Sequence, residues 1–531
     1  MAEEIELKLA LPESAQRAFL RQPLLRQAVR KETHRLTNLY YDTPGLDLRQ
    51  HGIALRLRAQ GKFWLQTVKC AGDRAGGLSA RPEWETPYGG HFDFSPIDDP
   101  EVRAWLERPK IATRLSPVFE TNFQRMAWTF ELPRATRVEL ALDRGWISAA
   151  GQREPVSEVE LELIEGDAGE LFALALALAA RVPLVPAPLS KADRGYALFL
   201  QTPPAPVRAA SPDLSAEMMP LAAFRAIALA CLDQLQRNHR TALTSEDPEY
   251  IHQMRVALRR LRAALRLFRP LLPADFEERS LPLVRELMAP LGKARDVDVL
   301  LAEIANPVLA ALPDEPRLAA LIGVITERRH EARQQALHLL TTPRYGVIVL
   351  QLLALTHGLS AVEAKRAAVG TPDATGQASL PDFARKRLRR LRKKALALAR
   401  EVDAARPETL HALRIAIKRL RYALEFFSPL AERKPTRRLL GHLAELQEVL
   451  GQINDLANAG ALLMESAGND QPLREAVSLI AGWHGPRYQR LLSAVPRAIT
   501  RLGTMRLPHW RGRHPRVTSA SYAGPQTNET E

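Results

Sequence analysis

The chain has 531 residues, more than one hydrophobic core serves, which points to two or more domains. Charged residues are 25% and hydrophobic residues 46%, a globular composition that excludes a fibrous or disordered chain. The net charge of +14 asks for an anionic partner, and it is placed unevenly. Residues 1–200 hold 26 Lys+Arg against 27 Asp+Glu, net −1; the remainder holds 48 against 33, net +15. The basic surface is therefore expected in the C-terminal part. Cys70 and Cys231 lie far apart and are expected to be reduced, which fits a cytoplasmic protein. The acidic N-terminus has no apolar run, so no signal peptide is expected. The apolar stretch at 171–180 is too short to span a membrane, so no membrane contact is expected.

In chain order, the first element is a strand. Glu4, Glu6 and Lys8 alternate with Ile5, Leu7 and Leu9, which places charge on one face and apolar groups on the other. A helix is expected over Ser14–Arg30, with Pro23 as an interruption. A strand over His34–Thr43 carries Tyr40-Tyr41-Asp42-Thr43, read as structural, before a Pro-Gly turn. Ile53–Arg58 and Phe63–Lys69 form a hairpin around Gly61, with Arg56 and Arg58 alternating with Leu55 and Leu57. Strands follow at Arg81–Thr86, Phe119–Glu131, Thr136–Asp143 and Glu158–Ile164, and helices at Asp99–Arg108 and Gly169–Arg181. Several strands pair an apolar face with a charged one of both signs. That pattern predicts a sheet closed on itself, polar inside and apolar outside, with helices covering the outside. A lumen lined by Arg, Lys and Glu suits a polyanion held together with metal ions.

The segment 201–215, beginning Gln-Thr-Pro-Pro-Ala-Pro, reads as a semi-rigid linker. From 216 to about 505 the pattern is helical and contains a repeat. The run from Ile251 to Phe268 matches that from Leu410 to Phe427, and Leu291–Asp296 matches Leu450–Asp455, both at an offset of 159 residues. At 100° per residue, His252, Arg255, Arg259, Arg262 and Arg266 fall within roughly 80° of one another. His411, Arg414, Lys418 and Arg421 do the same. Two such stripes would track a linear polyanion, and the absence of interleaved aromatic residues argues against nucleic acid. Arg385–Lys394 reads as a solvated basic helix. Residues 506–531 read as a disordered tail.

Residues 1–200 resemble the CYTH, or triphosphate tunnel metalloenzyme, family through Glu4-x-Glu6-x-Lys8, Tyr-Tyr-Asp-Thr, Leu-Arg-Leu-Arg, the late Glu-x-Glu-x-Glu and the terminal Ser-Lys. The resemblance implies an α+β domain built on an eight-stranded antiparallel tunnel with covering helices. It implies cleavage of triphosphates with Mg²⁺ or Mn²⁺. It assigns Glu4, Glu6, Lys8, Lys69 and Lys191 to catalysis. Lys8, Arg56, Arg58, Lys69, Arg125 and Lys191 would bind the triphosphate, with Arg194 and Arg81 as further contacts. Glu4, Glu6, Asp143, Glu160 and Glu162 would hold the metal, Glu160 and Glu162 facing the first strand across the tunnel; Glu83, Glu85 and Glu158 are weaker assignments. The repeated His/Arg motifs resemble the CHAD domain, an all-α unit of two repeated helical bundles. That resemblance implies polyphosphate binding by His252, Arg255, Arg259, Arg262, His411, Arg414, Lys418 and Arg421. The reading favoured is hydrolysis of inorganic triphosphate to pyrophosphate and phosphate. The alternatives are an organic triphosphatase acting on thiamine or nucleoside triphosphate, an adenylate cyclase on the same fold, and a non-catalytic polyphosphate-binding protein. Oligomeric state is open.

Overall fold

A computed structural model describes residues 3–61, 63–75, 77–369, 379–403 and 406–509. Most of the expected tail, 510–531, lies outside them. Contacts divide the described residues into two compact units, 3–205 with 342–354, and 206–341 with those from 355 to 509.

Among the described residues ten strands build the first unit: β1 (Glu3–Ala10), β2 (Arg30–Asp42), β3 (Ile53–Gln60), β4 (Phe63–Cys70), β5 (Asp73–Ala75), β6 (Leu78–Pro87), β7 (Ser116–Leu132), β8 (Thr136–Ala149), β9 (Gln152–Glu165) and β10 (Val185–Pro186). They run antiparallel in the order β10-β1-β9-β8-β7-β2-β3-β4-β6-β5, and β1 also pairs with β6. That last pairing closes eight strands into a tunnel and removes the free edges. β5 and β10 are short additions outside the ring. The expected helix at Ser14–Arg30 is instead three short helical segments, Glu13–Ala15, Gln16–Leu20 and Pro23–Gln27, because Pro23 cannot continue a helix and β2 already begins at Arg30.

Alternation along each strand sorts the side chains. Leu7, Leu9, Leu55, Leu140, Leu142 and Leu161 face outward and are buried. The helix Ala168–Ala179 adds Leu171, Leu174 and Leu178 to the buried set. Glu6, Lys8, Arg56, Arg81, Glu158 and Glu160 point inward and are buried too, so the unit carries a charged interior within an apolar shell.

The second unit is all helical. Pro220–Thr244, Glu249–Phe268, Phe276–Val299 and Pro316–Thr341 are followed by Leu380–Arg400, Pro407–Phe427, Arg433–Ala467 and Gln471–Thr504. Shifted by the repeat offset, each of the first four overlaps its counterpart in the second four. The repeat extends to the core. Phe224 and Phe383 are equivalent, as are Phe268 and Phe427, and all four are fully buried together. Phe268 lies 5.0 Å from Phe383 and 5.8 Å from Phe427, ring centre to ring centre.

Residues Pro343–Ala364, passed over in the sequence reading, are long and apolar enough by composition to cross a membrane, with mean hydropathy 1.6. Half of that window is buried inside the protein, as in a core helix.

Candidate functional site

The tunnel encloses a cavity of about 320 Å³. Seven cationic side chains (Lys8, Arg56, Arg58, Lys69, Arg81, Arg125, Lys191) and six carboxylates (Glu4, Glu6, Glu83, Glu85, Glu160, Glu162) line it. Strand register explains who meets whom. Lys8 is directly opposite Glu160, Lys69 opposite Glu83, and Arg125 opposite Asp143, which is itself opposite Glu158. Glu160 and Glu162 therefore sit beside β1 on the neighbouring strand, not across the tunnel as the sequence reading had it.

The charges form two groups. In the first, Glu4 accepts from Lys69 at 2.8 Å and from Arg81 Nε at 3.1 Å. Glu6 accepts from Arg81 Nη2 at 2.9 Å and from Ser79 Oγ at 3.2 Å. Lys69 also meets Glu83 at 2.7 Å. In the second, the ammonium of Lys191 lies 2.7 Å from Asp143, 2.5 Å from Glu158 and 3.0 Å from Glu160. Arg125 forks onto both oxygens of Asp143 at 2.8 and 2.7 Å and also meets Glu160. Lys8 links the two groups, 3.0 Å from Glu160 and 3.6 Å from Glu6.

The electrostatics follow. Burial acts to raise Glu160, but Lys191, Lys8 and Arg125 hold it well below the usual carboxylate range. Burial acts to lower Lys191, and Asp143, Glu158 and Glu160 outweigh it, so the amine stays charged. Glu162 and Arg58 are pushed the other way, toward their neutral forms. Glu162 stands between Glu6 on β1 and Glu139 on β8, a row of three carboxylates. Burial, then Glu4 and Glu139, push it up to about 7, and no cation lies within ion-pair distance of it among the described residues. Arg58 has no ion pair among the described residues and donates to Asn38 at 2.9 Å; burial and the like charges of Arg56 and Arg125 outweigh Tyr40 and Glu85 and push it down to about 10.

Of the residues expected to hold a metal, Glu4, Glu6, Glu160 and Glu162 line the cavity, whereas Asp143 is fully buried behind it. Asp143 joins Glu158 and Glu160 in one cluster with oxygens within 4.8 Å of each other. The donor set is all oxygen and Glu162 lacks a counter-charge, which fits a hard divalent cation on the Glu4, Glu6 and Glu162 side. Arg194 departs from expectation. It does not line the cavity, because Glu154 at 2.8 Å, Glu158 at 3.0 Å and the Pro155 carbonyl at 2.5 Å hold its guanidinium. Asn38 and Ser79 were missed; only the register, with Asn38 opposite Arg58, singles out the first.

In the helical unit, Glu249–Phe268 packs on Pro407–Phe427. Arg259 donates to the Tyr422 hydroxyl at 3.1 Å, and Arg260 to Glu425 at 2.5 Å. The repeat reproduces one pairing: Arg255 meets Asp296 at 2.6 Å, and its equivalent Arg414 meets Asp455 at 3.7 Å. Burial, then Arg259 and Arg414, push Lys418 down to about 7. Burial and Arg295 lower His252, and burial, Arg266 and Arg285 lower Arg262. His411 is paired with Asn454 at 2.8 Å, and Arg421 with Glu425 at 2.8 Å on its own helix. Cations therefore crowd one another along the face shared by the two helices. Arg285 joins it from outside the repeated runs, and Arg295 and Tyr422 join it from within them, at positions that the two His/Arg stripes do not include.

A closed antiparallel tunnel with a cationic and carboxylate lumen, followed by a duplicated helical bundle with a basic groove, defines the class. Residues 2–196 match the CYTH domain and residues 226–464 the CHAD domain. The chain is 34% identical to the crystal structure of the CHAD domain from the plant Ricinus communis, with a TM-score of 0.50, over 58% of this chain and 99% of that one. It is 32% identical over 201 residues to the inorganic triphosphatase of Haemophilus influenzae, covering 37% of this chain and 55% of that protein. The chain thus spans about half the length of that curated relative. The protein belongs to the CHAD-domain family and carries a CYTH domain in front of the CHAD domain.

Proposed function

We propose that the first unit hydrolyses inorganic triphosphate to pyrophosphate and phosphate with a divalent cation, and that the basic groove of the second unit binds inorganic polyphosphate. The observation that carries the first half is the lining of one small cavity by seven cations and six carboxylates. Cations alone would suit any anion; carboxylates beside a phosphate site require a cation between them. Mg²⁺ or Mn²⁺ held by Glu4, Glu6 and Glu162 would neutralise phosphate oxygens and acidify a water molecule. Arg56, Arg58, Arg125, Lys8 and Lys69 bind and orient the three phosphoryl groups. Lys191 faces the charge that grows on the bridging oxygen as water attacks phosphorus and the P–O bond breaks. The activity named for the Haemophilus relative supports the inorganic substrate. The lining contains none of Trp64, Trp84 and Trp128; its rings are Tyr40, already stacked on Phe119, and Phe123, already faced by Arg125 and Lys191, which supports a substrate without a base or thiazole. Free thiols at Cys70 and Cys231 support a cytoplasmic location.

The test is product analysis with tripolyphosphate, ATP and thiamine triphosphate, each with Mg²⁺. Pyrophosphate plus phosphate from tripolyphosphate at the highest kcat/KM is expected. Cyclic AMP from ATP with tripolyphosphate inert would overturn the reading in favour of a cyclase. Preferred cleavage of thiamine triphosphate would make it an organic triphosphatase. Polyphosphate binding without product from any of the three would leave a binding protein.

A further inference from the structure

The helix Lys191–Phe199 brings Lys191 into the tunnel from its first position. Ser190 caps it, accepting from the Asp193 amide at 3.1 Å while Asp193 accepts from the Ser190 amide at 2.9 Å. What fixes its depth lies one turn further on. Gly195, four residues after Lys191 and on the same helix face, rests on the ring of Phe119, where a Cβ would come within 2.3 Å of the ring. Phe119 is backed by Tyr40, stacked on it at 4.4 Å. The next residue, Tyr196, donates its hydroxyl to Asp42 Oδ2 at 2.8 Å.

Asp42 is fully buried and has no ion-pair partner among the described residues. The amides of Thr43, Leu48 and Arg49 donate to it at 2.7, 2.9 and 3.0 Å and fix its direction. Burial and Asp42 push the Tyr196 hydroxyl far above its ordinary range, so it remains a donor. A carboxylate immobilised by three amides is a rigid anchor for one external donor, and it fixes a phenol five residues from the lysine.

We propose that Asp42, Tyr196 and Gly195 are positioning residues, a clamp that sets the depth of this helix and so delivers the Lys191 ammonium to Asp143, Glu158 and Glu160 and to the triphosphate beside them. The proposal rests on the triphosphatase reading of the tunnel. The clamp acts on geometry and leaves the binding arginines untouched, so its loss is felt in turnover more than in substrate binding.

The test is a double-mutant cycle on the intact chain, with tripolyphosphate and Mg²⁺ and a melting temperature for each protein. Tyr196→Phe is expected to lower kcat about tenfold and change KM less than about twofold. In a Lys191→Arg background, where the cation is already displaced, the same change is expected to cost less than about twofold. Equal fold losses in both backgrounds, or an unchanged kcat in Tyr196→Phe, would overturn the clamp. Gly195→Ala is expected to reproduce the loss of kcat; should it fail to fold, the Tyr196 cycle still decides. If the wild-type chain cleaves no tripolyphosphate, the reading of the tunnel falls, and the cycle is then read on tripolyphosphate affinity by calorimetry. There, coupling between Tyr196 and Lys191 sustains the clamp, and additivity or absence of binding ends it.

Discussion

Arg58 and Arg125 look alike in the sequence, each an arginine on a strand, and the structure separates them. Arg125 is nearly enclosed and forked onto Asp143, which has no exposure at all. Arg58 faces the cavity with an amide for a partner and two like charges nearby. Removing one member of a buried ion pair strands the other, so Arg125→Ala is expected to cost about 3–5 kcal/mol of stability, read by denaturant unfolding. Removing Arg58 relieves repulsion. Arg58→Ala is expected to leave the melting temperature in anion-free buffer unchanged or higher and to weaken tripolyphosphate binding about tenfold or more. A clear fall in its melting temperature would contradict a site built for an absent anion. The residue types of the site were readable from alternation, because period two assigns faces without a structure. Their partners were not: Arg194 and Lys191 are three residues apart on one helix, yet its packing gives one to Glu154 and Glu158 and the cavity to the other.

The strands with charged faces and the duplicated His/Arg helices were legible because each carries its own period, two or 3.6, over enough residues to stand out. Closure was expected from the charged inner faces, but β5, β10 and the particular pairing that makes it, β1 with β6, were not legible, since short edge strands have no period and the closing partner is a long-range contact. The helix pair Glu249–Phe268 and Pro407–Phe427 makes a pH prediction. Lys418 is faced by Arg259, Arg414, Asp455 and Arg255, and its folded value of about 7 lies below its ordinary 10.5. Between those values the unfolded chain holds the extra proton, so this group makes stability rise with pH across that window. A bound polyanion favours the charged amine, so polyphosphate affinity is expected to fall as pH rises through about 7. Calorimetric titration at pH 6 and pH 8 checks this. Lys418→Arg, which stays charged, is expected to flatten the difference; an equal pH effect in that variant would exclude Lys418 as its source.

The uneven charge, net −1 over residues 1–200 and net +15 over the rest, assigns the two proposed ligands different physics. The groove works through many partly exposed cations, and salt screens such contacts; the tunnel works through buried ones, which salt reaches less. Long-chain polyphosphate binding is expected to weaken steeply between 50 and 300 mM salt, in the manner of counterion release, while tripolyphosphate turnover changes far less (about twofold or less). Similar salt dependence of both would contradict the division of labour. The central claim is that the β1 carboxylates make the tunnel an enzyme. Its most direct test is phosphate release from tripolyphosphate with Mg²⁺ and with Mn²⁺, comparing the intact chain with Glu6→Ala. The account predicts release that falls about a hundredfold or more in the variant while circular dichroism and a cooperative melt, at a lower temperature because Arg81 loses its buried partner, show that the fold is kept. Equal release from both proteins, or none from the intact chain with either metal, would contradict it.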